Sequence, residues 1–276
     1  MAFQITTLME NTSPKNFLAA EHGLSLLIEG AGLRILYDTG TSPRFLKNAA
    51  SLGVELSPLD ALVFSHGHYD HTGGAAALLT GPIRPGAVYL GKDFFQSRFS
   101  PKGDGLMDIG AAVDQGAFER AGVPCHVVGA EPLALGGGLW LVSGFESTQP
   151  MEGPSPSLLR LGEKGMEEDA FQDEVAVVLD TPGELALVSG CSHVGILSMC
   201  RRVEELFSRR VDTFVGGTHL MGASQERIAF TCDQLSHSGL RRLGACHCSG
   251  AQAGEYFQAH FPGYFFNNVG TRLTVG

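Results

Sequence analysis

Ser65–Gly74 reads SHGHYDHTGG and holds three of the ten histidines in the 276-residue chain. The stretch follows the apolar run LDALVF, which predicts a buried strand, and leads into GGAAALL, which predicts a turn that opens a helix. The imidazoles are therefore concentrated where a core element ends and the chain turns back. This junction combines a clear fold signal with the densest group of histidines in the sequence.

Four side chains of this stretch have the chemistry of metal ligands. His66 and His68 are two residues apart, so their imidazoles project to the same side of an extended backbone. The turn that follows can return Asp70 and His71 to the same cavity. This supplies two imidazoles for one cation and a carboxylate with an imidazole for a second, as expected for zinc, with iron and manganese as alternatives. A histidine-rich surface turn is the competing interpretation, and the apolar strand argues against it.

The composition is that of an ordinary globular protein. Hydrophobic residues make up 43% of the chain and charged residues 17%, and the length suits one large domain, so we expect a single domain over residues 1–276. No apolar stretch reaches the roughly 20 residues that cross a bilayer, and the N-terminal residues resemble no export signal. These features predict a cytoplasmic protein that does not bind membranes and whose six cysteines are reduced.

The formal net charge of −10 argues against nucleic acid as the main partner, because an acidic surface repels a phosphate backbone. Three arginine pairs are the basic clusters of the chain, and each lies in or beside a segment with helical character. We interpret them as solvated helix faces. A small-molecule substrate is therefore the expected partner.

Apolar runs and amphipathic segments alternate along the chain. Strand candidates are GLSLLIE, LRILYDTG, ALVFSHGH, AVYLG, LWLVSGF, EVAVVLD, ELALVSGCSH, TFVGGTHL and RRLGACHCSG. Helix candidates are SPRFLKNAASLG, GGAAALLTG, GILSMCRRVEELFSRR, SQERIAFTCDQLSHSG and GAQAGEYFQAHF. Two long segments, Gly91–Gly110 and Ser147–Glu174, are interpreted as surface loops that act in binding or as lids. The mixture predicts an α/β protein whose sheets are covered by helices.

The motif HGHYDH followed by TGG resembles the His-x-His-x-Asp-His motif of the metallo-β-lactamase superfamily. Further segments, EHGLSLLIE, ILYDTGTS, VSGCSHVGI, GGTHL and CHCSG, occur in an order similar to the dihydropterin-ribofuranosylaminobenzene-phosphate synthase-like subgroup. The matches run from about Glu21 to about Gly250. The resemblance implies a four-layer αββα sandwich that carries one or two metal ions at the edge of its two sheets.

The same resemblance assigns roles to residues beyond the first motif. It implies that His193 is the third imidazole of the first metal and that His247 binds the second metal. It also implies that Asp38 lies beside the cavity, where an acceptor at a strand end can orient a ligating histidine; a turn-capping aspartate is the alternative. His219 is a candidate ligand or substrate-binding residue and His22 a candidate site residue, with a structural histidine as the alternative for each.

The sequence departs from the superfamily pattern at one point. Many members with two metals carry a bridging aspartate after a late strand, and neither SGCSH nor VGGTHL contains one. Cys191 is a candidate replacement because thiolate is a good zinc ligand, and Asp173 and Glu174 are candidates that approach from elsewhere. Cys246 and Cys248 flank the histidine of the second metal, and an extended backbone would point them away from it as buried thiols.

The resemblance implies a metal-dependent hydrolase. Divalent ions ionise a water molecule near neutral pH, and this water attacks an ester, lactone or phosphodiester. Asp70 is expected to orient the attacking group as well as to bind metal, and His219 is the second catalytic candidate. The expected substrate is a small ester or phosphodiester, with phosphorylated and pterin-like metabolites as candidates. The alternatives are an iron-dependent redox enzyme of the same fold and a non-catalytic metabolite-binding protein that keeps the metal site.

Overall fold

The computed structural model describes residues 2–276, which form three β-sheets and seven helices. The first sheet has seven strands, in the order β17-β1-β2-β3-β4-β5-β8 when strands are numbered along the chain. Strands β3, β4, β5 and β8 run parallel to one another, and the remaining pairs are antiparallel. The strands are Phe3–Met9 (β1), Ser25–Gly30 (β2), Leu33–Tyr37 (β3), Leu59–Val63 (β4), Pro85–Leu90 (β5), Cys125–Val127 (β8) and Arg272–Val275 (β17).

The second sheet has six strands in the order β16-β15-β14-β13-β10-β9. Strands β14, β15 and β16 are parallel, whereas β13 and β10 pair antiparallel. The strands are Leu133–Gly136 (β9), Leu139–Val142 (β10), Ala176–Asp180 (β13), Leu185–Ser189 (β14), Thr213–Gly217 (β15) and Arg242–Cys246 (β16).

Six of the helices pack on the outer faces of these two sheets, whereas α2 lies at the sheet edge. Their bounds are Arg44–Ser51 (α1), Tyr69–Thr72 (α2), Ala75–Thr80 (α3), Ala117–Arg120 (α4), Ile196–Phe207 (α5), Gln225–Ser238 (α6) and Gly250–His260 (α7), with a 3₁₀ turn at His247–Ser249. No helix among residues 2–276 combines the length and the apolar character that a membrane crossing requires.

Alternating strand residues fill three separate apolar layers. Ile28 of β2 and Val177 of β13 belong to a cluster that both large sheets share. Leu27 points the other way, into a cluster with Phe45 of α1, and Val178 likewise packs in a cluster with helix α5. Because both faces of each sheet are buried, the central strands read as continuous apolar runs rather than as alternating ones. The predicted four-layer αββα sandwich is therefore confirmed.

All nine predicted strands and all five predicted helices are present, but the sequence interpretation missed four strands of the two large sheets, of which β8, β9 and β17 are edge strands and β1 lies inside the first sheet. Strands β1, β8, β9 and β17 were not predicted. Strand β8 has three residues, all exposed, and β9 and β17 have four each. Short edge strands carry little apolar signal, so periodicity alone does not identify them.

The interpretation of the two long segments as loops is wrong. Gly91–Gly110 contains Arg98–Lys102 (β6) and Gly105–Asp108 (β7), and Ser147–Glu174 contains two further strands, Leu159–Gly162 (β11) and Gly165–Glu168 (β12). The four strands form a third, antiparallel sheet in the order β12-β11-β6-β7. Each segment forms a local hairpin, and the pairing of β6 with β11 joins the two hairpins into one sheet.

Candidate metal centre

The candidate ligands lie just beyond the carboxyl ends of parallel strands. In an open α/β sheet these ends meet along one edge, where ligands commonly bind. The first sheet contributes the residues after β3 and β4, and the second sheet contributes those after β14, β15 and β16. The residues brought to this edge are Asp38, His66, His68, Asp70, His71, Cys191, His193, His219 and His247.

Several of these positions have a left-handed backbone. The φ angles of Asp38, Ser192, His219 and His247 are 60°, 54°, 48° and 54°. Such values are uncommon for residues other than glycine and tend to occur at functional sites. They turn the chain sharply where each strand ends.

His66, His68 and His193 form the first ligand cluster. The Nε2 atom of His66 lies 3.0 Å from Nδ1 of His68 and 3.3 Å from Nε2 of His193. The three side chains are at most 6% exposed. Two nitrogens bound to one tetrahedral zinc lie about 3.3 Å apart, given Zn–N bonds of about 2.0–2.1 Å. The spacing fits a shared divalent cation.

Asp70 is the centre of a second cluster. Its Oδ2 atom lies 3.3 Å from Nε2 of His247 and 3.7 Å from Nε2 of His71. His22 Nε2 approaches the same oxygen at 3.2 Å from a half-exposed position. Asn11 Nδ2 lies 3.3 Å from His22 Nδ1. An amide nitrogen can only donate, so Nε2 of His22 carries the proton and donates to Asp70. His22 is thus placed to orient a ligand rather than to bind the cation.

Asp38 fixes the rings of two histidines. Its Oδ2 atom accepts from Nδ1 of His71 at 2.7 Å and from the Ser65 hydroxyl at 2.7 Å, and its Oδ1 accepts from the Ser65 N–H. Since the Ser65 proton is used, the Ser65 oxygen accepts from Nδ1 of His66 at 2.9 Å. The rings of His66 and His71 are therefore held with their Nε2 atoms directed into the cavity, as ligation requires.

His247 is oriented in the same way by a residue that the sequence interpretation missed. Its Nδ1 donates to Oδ1 of Asn11 at 2.9 Å, and this oxygen also accepts from the Gly23 N–H. The Nε2 atom of His247 is buried and has no hydrogen-bond partner among residues 2–276, although it faces Asp70. Buried polar atoms are normally paired, and a cation between the imidazole and the carboxylate would pair both.

Burial keeps most of these imidazoles neutral. It lowers the pKa of His66 and His193 well below the usual value and that of His68 to about 3. Although burial also disfavours charge on His71, the carboxylates of Asp38 and Asp70 raise its pKa to about 9. A proton on His71 thus occupies the position that a cation would take. The donor atoms fit one or two divalent cations, and the first cluster offers three neutral imidazoles to one of them.

Asp173 and Glu174 do not face the clusters as ligands. Asp173 contacts Arg98 Nη2 at 2.8 Å and accepts from the Gly67 N–H at 2.7 Å. Glu174 accepts from the N–H groups of His193 and Val194 at 2.7 and 3.1 Å. Burial raises the pKa of Asp173 to about 6 and that of Glu174 to about 8. Both carboxylates hold the backbone that carries the ligands, so their candidacy as the bridge is not supported by the geometry.

His219 lies beside the first cluster. Its ring centroid is 4.2 Å from that of His193, and burial lowers the pKa of His219 to about 4. On the opposite side Phe171, which the sequence interpretation missed, stacks on His193 with 3.6 Å between centroids. Phe171 follows no recognisable motif, so nothing in the local sequence identifies it as a wall of the site.

The expectation that Cys248 points away from His247 is wrong. The Cys248 Sγ lies within 4.8 Å of both a His247 ring nitrogen and the Cys191 Sγ. The chain forms a 3₁₀ turn from His247, so the alternation of an extended strand does not apply. Cys246, still in β16, points into the core that the two large sheets share, as expected.

Residues 19–157, just over half of the chain, match the metallo-beta-lactamase superfamily. The chain belongs to this superfamily. The family membership that the HGHYDH motif predicts is thereby confirmed. Members of the superfamily typically bind divalent metals and are largely enzymes, and the clusters described above are where this member offers ligands.

Individual relatives cover nearly the whole chain. The 7,8-dihydropterin-6-methyl-4-(beta-D-ribofuranosyl)-aminobenzene-5'-phosphate synthase of Methanocaldococcus jannaschii is 28% identical over 253 residues, covering 88% of this chain and 85% of that protein. The crystal structure of Tm1679, a metal-dependent hydrolase of the beta-lactamase superfamily, is 28% identical and superposes with a TM-score of 0.85 over 99% of both chains. A diphosphatase of the PhnP family shares the fold at 16% identity and a TM-score of 0.58, covering 100% of this chain and 98% of that one.

Proposed function

We propose that this metallo-β-lactamase superfamily member is a metal-dependent hydrolase of a small ester or phosphodiester. The observation that carries the proposal is the pair of adjacent ligand clusters, centred on His66 and Asp70, whose donor atoms lie at ligand spacing. The hydrolase Tm1679, similar over 99% of the chain, supports this class, and the synthase relative, whose product name contains a dihydropterin and a phosphate, suggests which metabolites to try. Phosphorylated and pterin-like metabolites are the first substrates to test.

His66, His68 and His193 would hold one divalent cation, and a second would be held by the other cluster, Asp70, His71 and His247. Zinc suits this imidazole and carboxylate set, with iron and manganese as alternatives. When bound, such cations acidify water and polarise the oxygen of an ester or phosphoryl group.

The protein's own groups prepare the site for this chemistry. Asp38 and Ser65 fix the imidazole tautomers, which removes the need to reorganise them during the reaction. Phe171 covers one face of His193 and excludes water there. His219 and Asp70 are the catalytic candidates: His219 is placed to contact a substrate beside His193, and Asp70 to orient the attacking group.

We propose that a cavity of about 790 Å³, which reaches the chain neighbours of two centre residues although none of the ligands lines it, holds the body of the substrate. Val128 and Phe145 give it an apolar floor, and Lys92 stands at its wall. Gln172 and Val194, which also line it, are the chain neighbours of Phe171 and His193. The volume lies in the range of small-molecule sites.

The proposed partner is a small molecule rather than a nucleic acid, and the net charge of −10 supports this. A bound cation would be the largest local charge, so an anionic substrate remains acceptable. We also propose that the protein works in the cytoplasm, since its six cysteines are free thiols.

The first test is a screen of phosphodiesters, phosphomonoesters and lactones with metal-loaded protein of known metal content. His66→Ala and Asp70→Ala are expected to lower turnover by more than about 100-fold while circular dichroism is unchanged, because ligands contribute at least as much as their orienting partners. His237→Ala, an exposed histidine on α6, is the control. Full activity after exhaustive chelation would contradict the proposal.

The similarity to a synthase makes bond formation the second candidate. Product analysis separates the two, because a hydrolase yields the free acid or phosphate in water alone, whereas a synthase requires a second organic substrate. Stoichiometric iron together with oxygen uptake would instead support the redox alternative, and bound metal without turnover of any substrate would support a metabolite-binding protein.

A further inference from the structure

The position of the Cys191 thiol gives the centre a feature that the two ligand clusters do not explain. Its Sγ lies 3.3 Å from Nε2 of His71. It also lies within 4.8 Å of ring nitrogens of His66, His71 and His247. The sulfur is therefore near donors of both proposed cations, and the side chain is only 3% exposed.

The distance from sulfur to His71 is close to that between two ligands of one ion. With Zn–S of about 2.3 Å and Zn–N of about 2.0–2.1 Å, tetrahedral geometry places the two ligand atoms about 3.5 Å apart. The Nε2 atom of His71 points toward the sulfur, since Nδ1 is held by its hydrogen bond to Asp38. Two electron-pair donors directed at one point form a site for a cation or a proton.

The two carboxylates that the sequence offers as a bridge form hydrogen bonds and ion pairs elsewhere. Asp173 is bound to Arg98 and Gly67, and Glu174 to the backbone of His193 and Val194. Of the three candidates for the bridging ligand, Cys191 is therefore the one that remains.

We propose that Cys191 binds as a thiolate shared between the two cations. The inference rests on the metal-dependent function proposed above and adds the identity of the bridging ligand. On binding, the S–H bond breaks, the proton passes to solvent, and a sulfur lone pair forms the bond to the cation; no electron is transferred. A thiolate favours zinc, cobalt or cadmium over magnesium and manganese, so the site selects thiophilic cations.

Cys248 is the rival sulfur and provides an internal comparison. Its Sγ accepts from the His219 N–H at 3.3 Å and lies 3.5 Å from the Cys191 carbonyl oxygen. The Cys248 Sγ shares possible cation partners with His247, but not with His66. We therefore expect it to remain a thiol that supports the turn.

The test uses full-length protein loaded with Co²⁺ or Zn²⁺. Cobalt is expected to give a thiolate charge-transfer band that Cys191→Ser removes, while Cys248→Ser and the distant buried control Cys200→Ser retain it. Cys191→Asp should bind two equivalents without the band and accept manganese more readily. Zinc-loaded wild type, which needs no substitution, should show Zn–S scattering at about 2.3 Å in X-ray absorption.

Two results would overturn the shared thiolate. Two bound equivalents with no sulfur scattering would exclude it while leaving the hydrolase proposal intact. Loss of the band in Cys248→Ser but not in Cys191→Ser would show that Cys248, and not Cys191, binds the cation. Failure to bind any divalent cation would end both proposals.

Discussion

At the scale of single residues, Asp38 orients candidate ligands of both clusters. One fully buried carboxylate accepts hydrogen bonds from His71 and from both polar groups of Ser65, and through Ser65 it also fixes His66. It therefore acts on both ligand clusters at once. Its left-handed backbone, with φ of 60°, places the carboxylate at the strand end where both rings can reach it.

Asp38→Asn is expected to weaken metal binding about 10–100-fold, as for other residues that orient metal ligands. Asparagine tolerates the left-handed conformation, so the backbone should be kept and the loss should come from the missing charge and the altered His71 hydrogen bond. Competition with a chelator measures the affinity. Asp180→Asn, far along β13 and paired with Arg209, is the control. Equal affinities in both variants would contradict the orienting role.

At the scale of elements, the third sheet is tied to the metal centre by one arginine. Arg98 of β6 is 1% exposed and contacts Asp169 at 2.6 Å and Asp173 at 2.8 Å. Its Nη1 donates to the carbonyl oxygens of Phe94 and, more weakly, Gly67, within the first motif. A side chain at Gly67 would collide with the Phe94 carbonyl oxygen, so this glycine allows the motif to pack against the segment before β6.

Arg98→Met is expected to destabilise the protein by about 3–5 kcal/mol, because it leaves two buried carboxylates without their cationic partner. Urea unfolding of metal-free protein measures the change. Arg160→Met is a matched control, since Arg160 is the direct cross-strand neighbour of Arg98 but pairs with the exposed Glu167; its cost should stay below about 1 kcal/mol. Equal costs would show that the buried network has no special weight.

For the whole molecule, histidines that are buried or half-buried link stability to pH. Burial lowers the pKa of His68 to about 3 and that of His219 to about 4, below the usual value near 6.5. The unfolded chain therefore binds more protons in acid, and the stability due to these groups is present above about pH 6.5 and lost as pH falls toward 4. His71, with its raised pKa, acts in the opposite sense above neutral pH.

In metal-free protein, the stability advantage of the wild type over His219→Asn is expected to shrink by about 3 kcal/mol between pH 7 and pH 4. Asparagine suits the left-handed backbone at this position and does not titrate. Urea unfolding at a series of pH values measures the difference. A constant difference across this range would show that His219 is not held neutral by the fold.

The two large sheets share one apolar layer, to which Ile28 and Tyr37 of the first sheet and Val177 and Val188 of the second contribute. We therefore propose that residues 1–276 form one domain and expect one cooperative unfolding transition. Calorimetric and van't Hoff enthalpies of metal-free protein should agree. Two resolved transitions would indicate that the halves fold separately.

The sequence by itself predicted an α/β protein with helix-covered sheets and the histidine-rich motif, whereas the four-layer arrangement followed from the family resemblance. Long apolar runs such as that of β4 specify buried strands, and His66, His68, Asp70 and His71 are close in the chain, so local geometry already gathers them. His193 and His247 were predicted as ligands because each follows an apolar strand and because the family resemblance implies it.

Only the tertiary structure decided which distant groups meet. Asp38 contacts His71 across 33 positions and Cys191 approaches it across 120, and such contacts depend on strand order and sheet packing rather than on any local pattern. The supporting residues Asn11, Arg98 and Phe171 have no motif of their own. The third sheet likewise exists because the fold pairs two remote segments whose short strands would be unstable alone.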